Sequence, residues 1–195
     1  MPNPVALTLA CFLQAAAHQS IPSPVMWGLY STEGGWVGSS QINRDGSHDL
    51  GPMQINDATW VKPIAKLMFG GDEVKARDAL QWNGCFNAEV SAWVFHKYWA
   101  EDHGNLAAAV GHYNSHNPDA MKRYQLTYEK RFLALYGSQL KTQPIAALPP
   151  LREITAASAP SSTASTKAPS RRTAAPVEKP VEAFLSGTLS PPTPR

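Results

Sequence analysis

Ser23-Pro24-Val25-Met26-Trp27-Gly28-Leu29-Tyr30-Ser31-Thr32-Glu33-Gly34-Gly35, followed by Gln41-Ile42-Asn43-Arg44-Asp45-Gly46-Ser47-His48-Asp49, is the part of the chain from which its architecture can be read. The first segment opens with a hydroxyl residue and then proline, which suits a helix start, and closes on two glycines, which suit a helix stop. The second is polar and turn-rich, and its Asp45-Gly46 step favours a tight hairpin turn. A short helix therefore runs into a small β-hairpin, with Glu33 in the last turn of the helix. A carboxyl there feels the negative end of the helix dipole and the neighbouring ring of Trp36, both of which disfavour its charged form. Asp49 lies among Asn43, Ser47 and His48, where hydrogen bonds keep a carboxylate ionised. Two carboxyls in such contrasting surroundings suit acid-assisted cleavage of a glycosidic bond, although position alone favours two solvated surface charges.

Outward from this segment, the first 140 residues read as helices. Residues 5–17 suit either an export signal or a first helix. No Lys or Arg precedes the apolar run, and Leu9, Phe12, Leu13 and Ala16 share one face at helical spacing, which favours the helix. Met53 to Trp60, Ile64 to Phe69 and Asp72 to Leu80 look like short helical pieces. Asn87 to His103 carries Val90, Trp93, Val94 and Tyr98 on one face, and Asn105 to Tyr113 is an Ala-rich buried helix. A last helix, opened by Asn117-Pro118 and closed by Gly137, turns Met121, Tyr124, Tyr128, Phe132 and Leu135 inward. Trp27 and Trp93 sit among apolar residues at helical spacing and belong to the core. The expected fold class is α+β, mostly α, with a small β-hairpin lobe.

A chain of 195 residues holds one domain of ordinary size. All six Trp and all six Tyr precede residue 137, while ten of the 17 Pro follow residue 141. The expected division is therefore a folded domain over residues 1–140 and a Pro/Ala/Ser/Thr-rich tail over 141–195, disordered or extended because it has too little apolar surface to offset its chain entropy. An apolar island from Val181 to Leu189 is either incidental or a docking motif. Residues 1–141 carry 11 Lys/Arg against 12 Asp/Glu, which gives no basic footprint for nucleic acid. No apolar run approaches the ~20 residues of a membrane-crossing helix. Cys11 and Cys85 are the two cysteines. In an oxidising compartment they can close one long loop, and in a reducing one they remain buried thiols.

The segment from Asn43 to Asn56 resembles the active-site hairpin of the lysozyme superfamily. Its Asp-Gly-Ser-x-Asp-x-Gly-x-x-Gln-Ile-Asn run is similar to c-type lysozymes. Gly51-Pro52-Met53-Gln54-Ile55 is similar to the Gly-Leu-Met-Gln motif of bacterial lytic transglycosylases, with Pro52 in place of Leu. His112-Tyr113-Asn114 resembles the Tyr-Asn element of the same enzymes. The likeness runs from about Cys11 to Tyr136 and includes Gly84-Cys85-Phe86-Asn87. In organisation it is nearest to the small transglycosylases that accompany type IV secretion, conjugation and pilus systems.

The resemblance implies a lysozyme-like fold, a periplasmic or cell-envelope location, peptidoglycan strands as substrate, and secretion or conjugation machinery as a partner reached through residues 142–195. It makes Glu33 the general acid/base and Asp49 a second carboxylate. Ser47, Gln54, Asn56, Tyr113 and Asn114 would bind saccharide, with Tyr113 bonded to Glu33 and with Trp36 and Trp60 offering flat faces. Three activities follow: a lytic transglycosylase, a hydrolytic muramidase using Glu33 and Asp49 together, or a non-catalytic glycan-binding assembly factor. His112 and His116 lack the intervening Glu of a His-Glu-x-x-His zinc site and read as surface or capping residues, so neither a metal nor any other cofactor is expected. No Gly-x-Ser-x-Gly setting supports a serine hydrolase.

Overall fold

Thr8 accepts the Cys11 amide on its hydroxyl at 3.2 Å and so begins α1 (Leu9–His18). The computed structural model describes residues 2–148, and in it residues 9–18 are a packed helix that buries Phe12, Ala15 and Ala16. The inward face is centred on Ala15, which leaves Leu9 and Leu13 half-buried. Cys11 and Cys85 form a disulfide across 74 residues, with their Cα atoms 5.4 Å apart. It ties α1 to the start of α5 (Gly84–Glu101), and a cross-link over a loop of this length typically stabilises by ~2–4 kcal/mol. Beside it, the Val5 amide donates to Trp82 O and the Gly84 amide to Val5 O, both at 2.8 Å.

Helix α2 (Ser23–Glu33) is entered through Pro22. Ser23 is already helical and makes no capping bond, contrary to the expectation, so Pro22 and Pro24 set the entry by their fixed φ alone. At the other end Gly34 takes the left-handed conformation, φ 64°, and donates its amide to Tyr30 O. Helix α2 packs on α7 (Pro118–Tyr136). A Cβ at Gly28 would stand 2.7 Å from the Tyr128 ring, so glycine permits this approach. The inward side of α7 buries Tyr124, Tyr128, Phe132 and Tyr136. Tyr136 takes the place expected for Leu135, and both Leu135 and Met121 are only half-buried.

The β lobe has three strands where a two-stranded hairpin was expected. β1 (Ser40–Ile42), β2 (His48–Leu50) and β3 (Ile55–Asn56) are antiparallel in that order, pairing Gln41 with Asp49 and Asp49 with Asn56. Strand alternation sends Leu50 and Ile55 into the core and their neighbours Asp49 and Asn56 to the other face. The helical pieces expected at Met53–Trp60 and Ile64–Phe69 are a turn, β3 and one continuous helix, α3 (Asp57–Met68), which holds Pro63 in its interior. The Asn56 side chain starts α3 by accepting the Thr59 amide, and that cap is the signal that separates strand from helix. Helix α4 (Glu73–Trp82) is capped by Asp72, α5 by Asn83, and α6 (Leu106–Asn114) by Asn105. In α5, Trp99 is fully buried, while Trp93 stands half-exposed at the edge of the core where it was expected inside.

The folded part continues beyond the expected boundary at Leu140. A 3-10 turn, Ile145–Ala147, packs on α2, and Ile145 and Leu148 are buried. The apolar island at Val181–Leu189, the tail's expected disorder and its expected partners lie outside the described residues. The described part is thus a mostly helical α+β structure with seven helices and a small antiparallel sheet. None of its helices is long and apolar enough to cross a membrane.

Candidate functional site

Between the β lobe and helices α5 and α6 runs a cleft of about 390 Å³. All seven expected site residues line it: Glu33, Ser47, Asp49, Gln54, Asn56, Tyr113 and Asn114. Glu33 is the last residue of α2, and its carboxyl turns inward to the Tyr124 hydroxyl of α7, which donates to Oε1. Loss of water pushes the Glu33 pKa up to about 8. The hydrogen bond from Tyr124 pulls the other way, and the charge of Asp49 adds to the rise. Burial, rather than the helix dipole or Trp36, is therefore the principal cause. Burial, and after it the Glu33 charge, also holds the hydroxyls of Tyr113 and Tyr124 well above their ordinary range, so both stay protonated.

Asp49 projects from the middle of β2, and its Oδ1 accepts from Asn56 Nδ2 at 3.0 Å. The neighbours expected to hold it are otherwise engaged. His48 turns to Asp57, which receives the His48 amide on Oδ1 at 2.8 Å and also pairs with Arg77 at 3.1 Å. Asn43 donates to Ser47 Oγ at 3.2 Å.

Hydrogen-bond capacity decides which of the expected saccharide contacts remain open. The Ser47 hydroxyl donates to Asp45 at 2.7 Å and accepts from Asn43 and Asn56, so its one donor and two lone pairs are all used. The same Ser47 contacts hold the Asp45 carboxyl below the usual range. The Asn56 amide gives its two protons to Ser47 and Asp49, while its oxygen serves Thr59. These bonds brace the β lobe and hold Asn56 against Asp49, and in this arrangement neither side chain has a donor left over. Tyr113 does not bond Glu33. Its hydroxyl donates to Met53 O at 2.9 Å and lies 2.8 Å from Ser91 Oγ. Gln54 spends its amide protons on Gly51 O and Ser39 Oγ, which leaves its carbonyl oxygen uncommitted. Asn114, exposed at the end of α6, has no side-chain partner among the described residues.

Two residues overlooked by sequence reasoning hold the cleft together. Helical spacing places Tyr124 in the core as one more inward aromatic, where it is found; a tyrosine rather than a phenylalanine in a buried stripe is the available sign that its hydroxyl has a partner. Asn87 is fully buried in α5 and makes three bonds: Oδ1 accepts the Met53 amide at 2.8 Å, and Nδ2 donates to Leu50 O and Leu80 O at 2.9 Å. It thus fixes the turn that joins β2 to β3. Only a side chain with both donors and an acceptor can do this, and no local pattern foretells which segments it will meet.

The far wall is aromatic. Trp60 meets Trp93 edge-on at 5.5 Å and Tyr98 at 6.3 Å, and His116 stacks on His112 at 5.1 Å. His112 Nδ1 is 2.8 Å from Asp102 Oδ2. Both histidines line the cleft, His116 exposed and His112 half-buried, in keeping with the surface placement expected of them. No group of His, Cys, Asp and Glu among the described residues is arranged to hold a metal ion. Trp36, expected to offer a flat face, is not part of the cleft wall. What remains is a half-buried carboxyl, pushed towards its protonated form, that shares with Asp49 a cleft of amide and aromatic walls. Such a site can give a proton to a bound ligand and stabilise positive charge beside it. No protein-family model matches this chain, and no curated protein is significantly similar to it.

Proposed function

We propose that this protein is a lytic transglycosylase that cleaves the β-1,4 bond between N-acetylmuramic acid and N-acetylglucosamine in peptidoglycan. The observation that carries the reading is Glu33: a half-buried carboxyl whose pKa desolvation raises to about 8 is protonated at neutral pH and lines a cleft of about 390 Å³ walled by amide and aromatic side chains. With Oε1 held by Tyr124, Oε2 carries the proton. It passes to the glycosidic oxygen as the bond to C1 breaks, and the Tyr124 hydrogen bond stabilises the carboxylate left behind. That carboxylate then takes the proton of the muramyl 6-hydroxyl, whose oxygen closes on C1 to form the 1,6-anhydro end. No water enters the products. Asp49 faces the positive charge that develops at the sugar ring. The lysozyme-like reading of the fold rests on the same parts: a helix ending in an acid, a three-stranded lobe beside it, and a groove between.

Hydrolysis is the second reading, and the presence of Asp49 in the same cleft favours it. Mass spectrometry of fragments released from purified peptidoglycan separates the two, with Glu33→Gln as control. Anhydromuramyl ends, lost by roughly 10²–10⁴-fold in the variant, are the expected result. Reducing muramyl ends would instead establish a muramidase, and wall binding without either product would leave a glycan-binding assembly factor. The disulfide accords with a periplasmic or cell-envelope setting, and a role in opening the wall for a secretion or conjugation apparatus makes the tail the link to it. Unchanged partner recovery after deletion of residues 149–195 would remove that link.

A further inference from the structure

The groove does not end at Glu33. A second hollow of about 330 Å³ adjoins the main cleft, and Glu33 and Asn114 line both. Its outer wall is a stripe of α7, in which Ala120, Arg123, Tyr124 and Thr127 recur at the spacing of one helix face. The two arms differ in charge. The main cleft has Glu33, Asp45 and Asp49 in its walls and no lysine or arginine, whereas the second arm has Arg123 and no acid other than Glu33.

The donors free to meet a ligand in the second arm can be worked out. Thr32 gives its hydroxyl proton to Gly28 O at 2.7 Å, Thr127 gives its own to Arg123 O at 3.0 Å, and Tyr124 gives its own to Glu33. That leaves the Arg123 guanidinium and the Asn114 amide. Arg123 forms no ion pair among the described residues, and Asp119, the acid of the first turn of α7, does not line the hollow. An uncommitted guanidinium and an open amide beside the proposed glycan cleft fit a ligand that bears a carboxylate.

We propose that Arg123, assisted by Asn114, binds a carboxylate of the glycan on the α7 side of Glu33 and so makes the groove selective for acidic over neutral glycan. This deepens the transglycosylase reading and rests on it. Two parts of peptidoglycan supply the chemistry: the lactyl group of strands stripped of peptide, and the peptide stem of intact strands. The contact lies next to the scissile position and fixes which sugar presents its ring to Glu33, because the acidic sugar is drawn to one arm and repelled by the carboxylates of the other.

The test uses Glu33→Gln protein, to hold glycan without turning it over, and isothermal titration calorimetry as the binding measurement. The probes are chitotetraose, the peptide-free muramyl tetrasaccharide and the same tetrasaccharide bearing stem peptides. The expected result is tighter binding of an acidic probe than of chitotetraose, a preference that falls about tenfold with Arg123→Ala, reverses with Arg123→Glu, is partly restored by Arg123→Lys and weakens with added salt. Preference for the peptide-free probe assigns the lactyl group, and preference for the peptide-bearing probe assigns the stem. A ratio that Arg123 substitutions leave unchanged, or a parent protein without preference, overturns the proposal. If the parent discriminates through Arg123 while the native protein releases no cleaved ends, the catalytic reading falls and the carboxylate site stands. If the native protein cleaves with no dependence on Arg123, the carboxylate site alone falls, and binding of none of the probes would overturn both.

Discussion

At the scale of single residues, Glu33 is bought at the expense of stability. Its pKa is about 8 in the folded chain, against an ordinary value of 4.5. Because the folded pKa is the higher one, the folded state holds a proton that the unfolded state releases between those two values. Stability from this group is therefore full below about pH 4.5 and is lost progressively as pH rises towards about 8. Glu33→Gln removes the cost while keeping an oxygen for Tyr124, so it should stabilise the fold by about 1–3 kcal/mol at neutral to mildly alkaline pH as it abolishes cleavage. Chemical denaturation of both proteins at pH 5 and pH 8 checks this; the gain should be small at pH 5 and largest at pH 8. On the proposed function, the same group sets the pH profile. A general acid of this pKa makes kcat/KM fall as pH rises through about 8. Tyr124→Phe deletes the bond that favours the carboxylate, and should move that limb upward by about one pH unit. A limb that stays in place would detach it from Glu33.

At the scale of elements, the β lobe is positioned by close contacts of the turn after β2 as well as by its own pairing. A Cβ at Gly35 would lie 2.3 Å from Gly51 O and 2.6 Å from Gln54 Nε2, so the end of α2 and the turn after β2 touch without side-chain space between them. On the other side of that turn Asn87 satisfies one amide and two carbonyls. Asn87→Ala leaves all three buried groups unpaired, and a loss of about 3–5 kcal/mol is expected in urea unfolding. Because the anchored turn carries Gln54 and leads to Asp49, cleavage should fall even where the variant remains folded. Asn87→Asp keeps the acceptor for Met53 but sets a buried carboxyl oxygen against two carbonyl oxygens, so it should cost at least as much as Asn87→Ala.

At the scale of the whole molecule, the core closes on both sides of the boundary suggested by composition. The N-terminal helix is held by the Cys11–Cys85 disulfide, and the segment after α7 returns to cover α2 with Ile145 and Leu148. Truncation after residue 141 should cost about 2–4 kcal/mol relative to truncation after residue 148, through the two lost apolar side chains. Equal stability of the two proteins would show that the returning turn contributes nothing. Since this turn packs on the helix that ends in Glu33, the shorter protein should also cleave more slowly than its loss of stability alone accounts for.

The order of residues by itself determined the helical character, the start of α7 at Asn117-Pro118, the stop of α2 at Gly34, the Asp45-Gly46 turn and the cleft as the place where Glu33 and Asp49 stand together. These are local matters, set by caps, turn geometry and periodicity, or carried by a motif of a dozen residues. The tertiary structure alone decided what the side chains spend their hydrogen bonds on. Ser47 and Asn56 became supports for Asp49, Tyr124 displaced Tyr113 as the partner of Glu33, and Arg123 came to face the second arm of the groove. Each of those outcomes depends on which helix lies across which strand, over separations as large as the 91 residues between Glu33 and Tyr124. A polar side chain's local sequence sets what bonds it can form, but packing of distant segments sets which of them are left for a ligand.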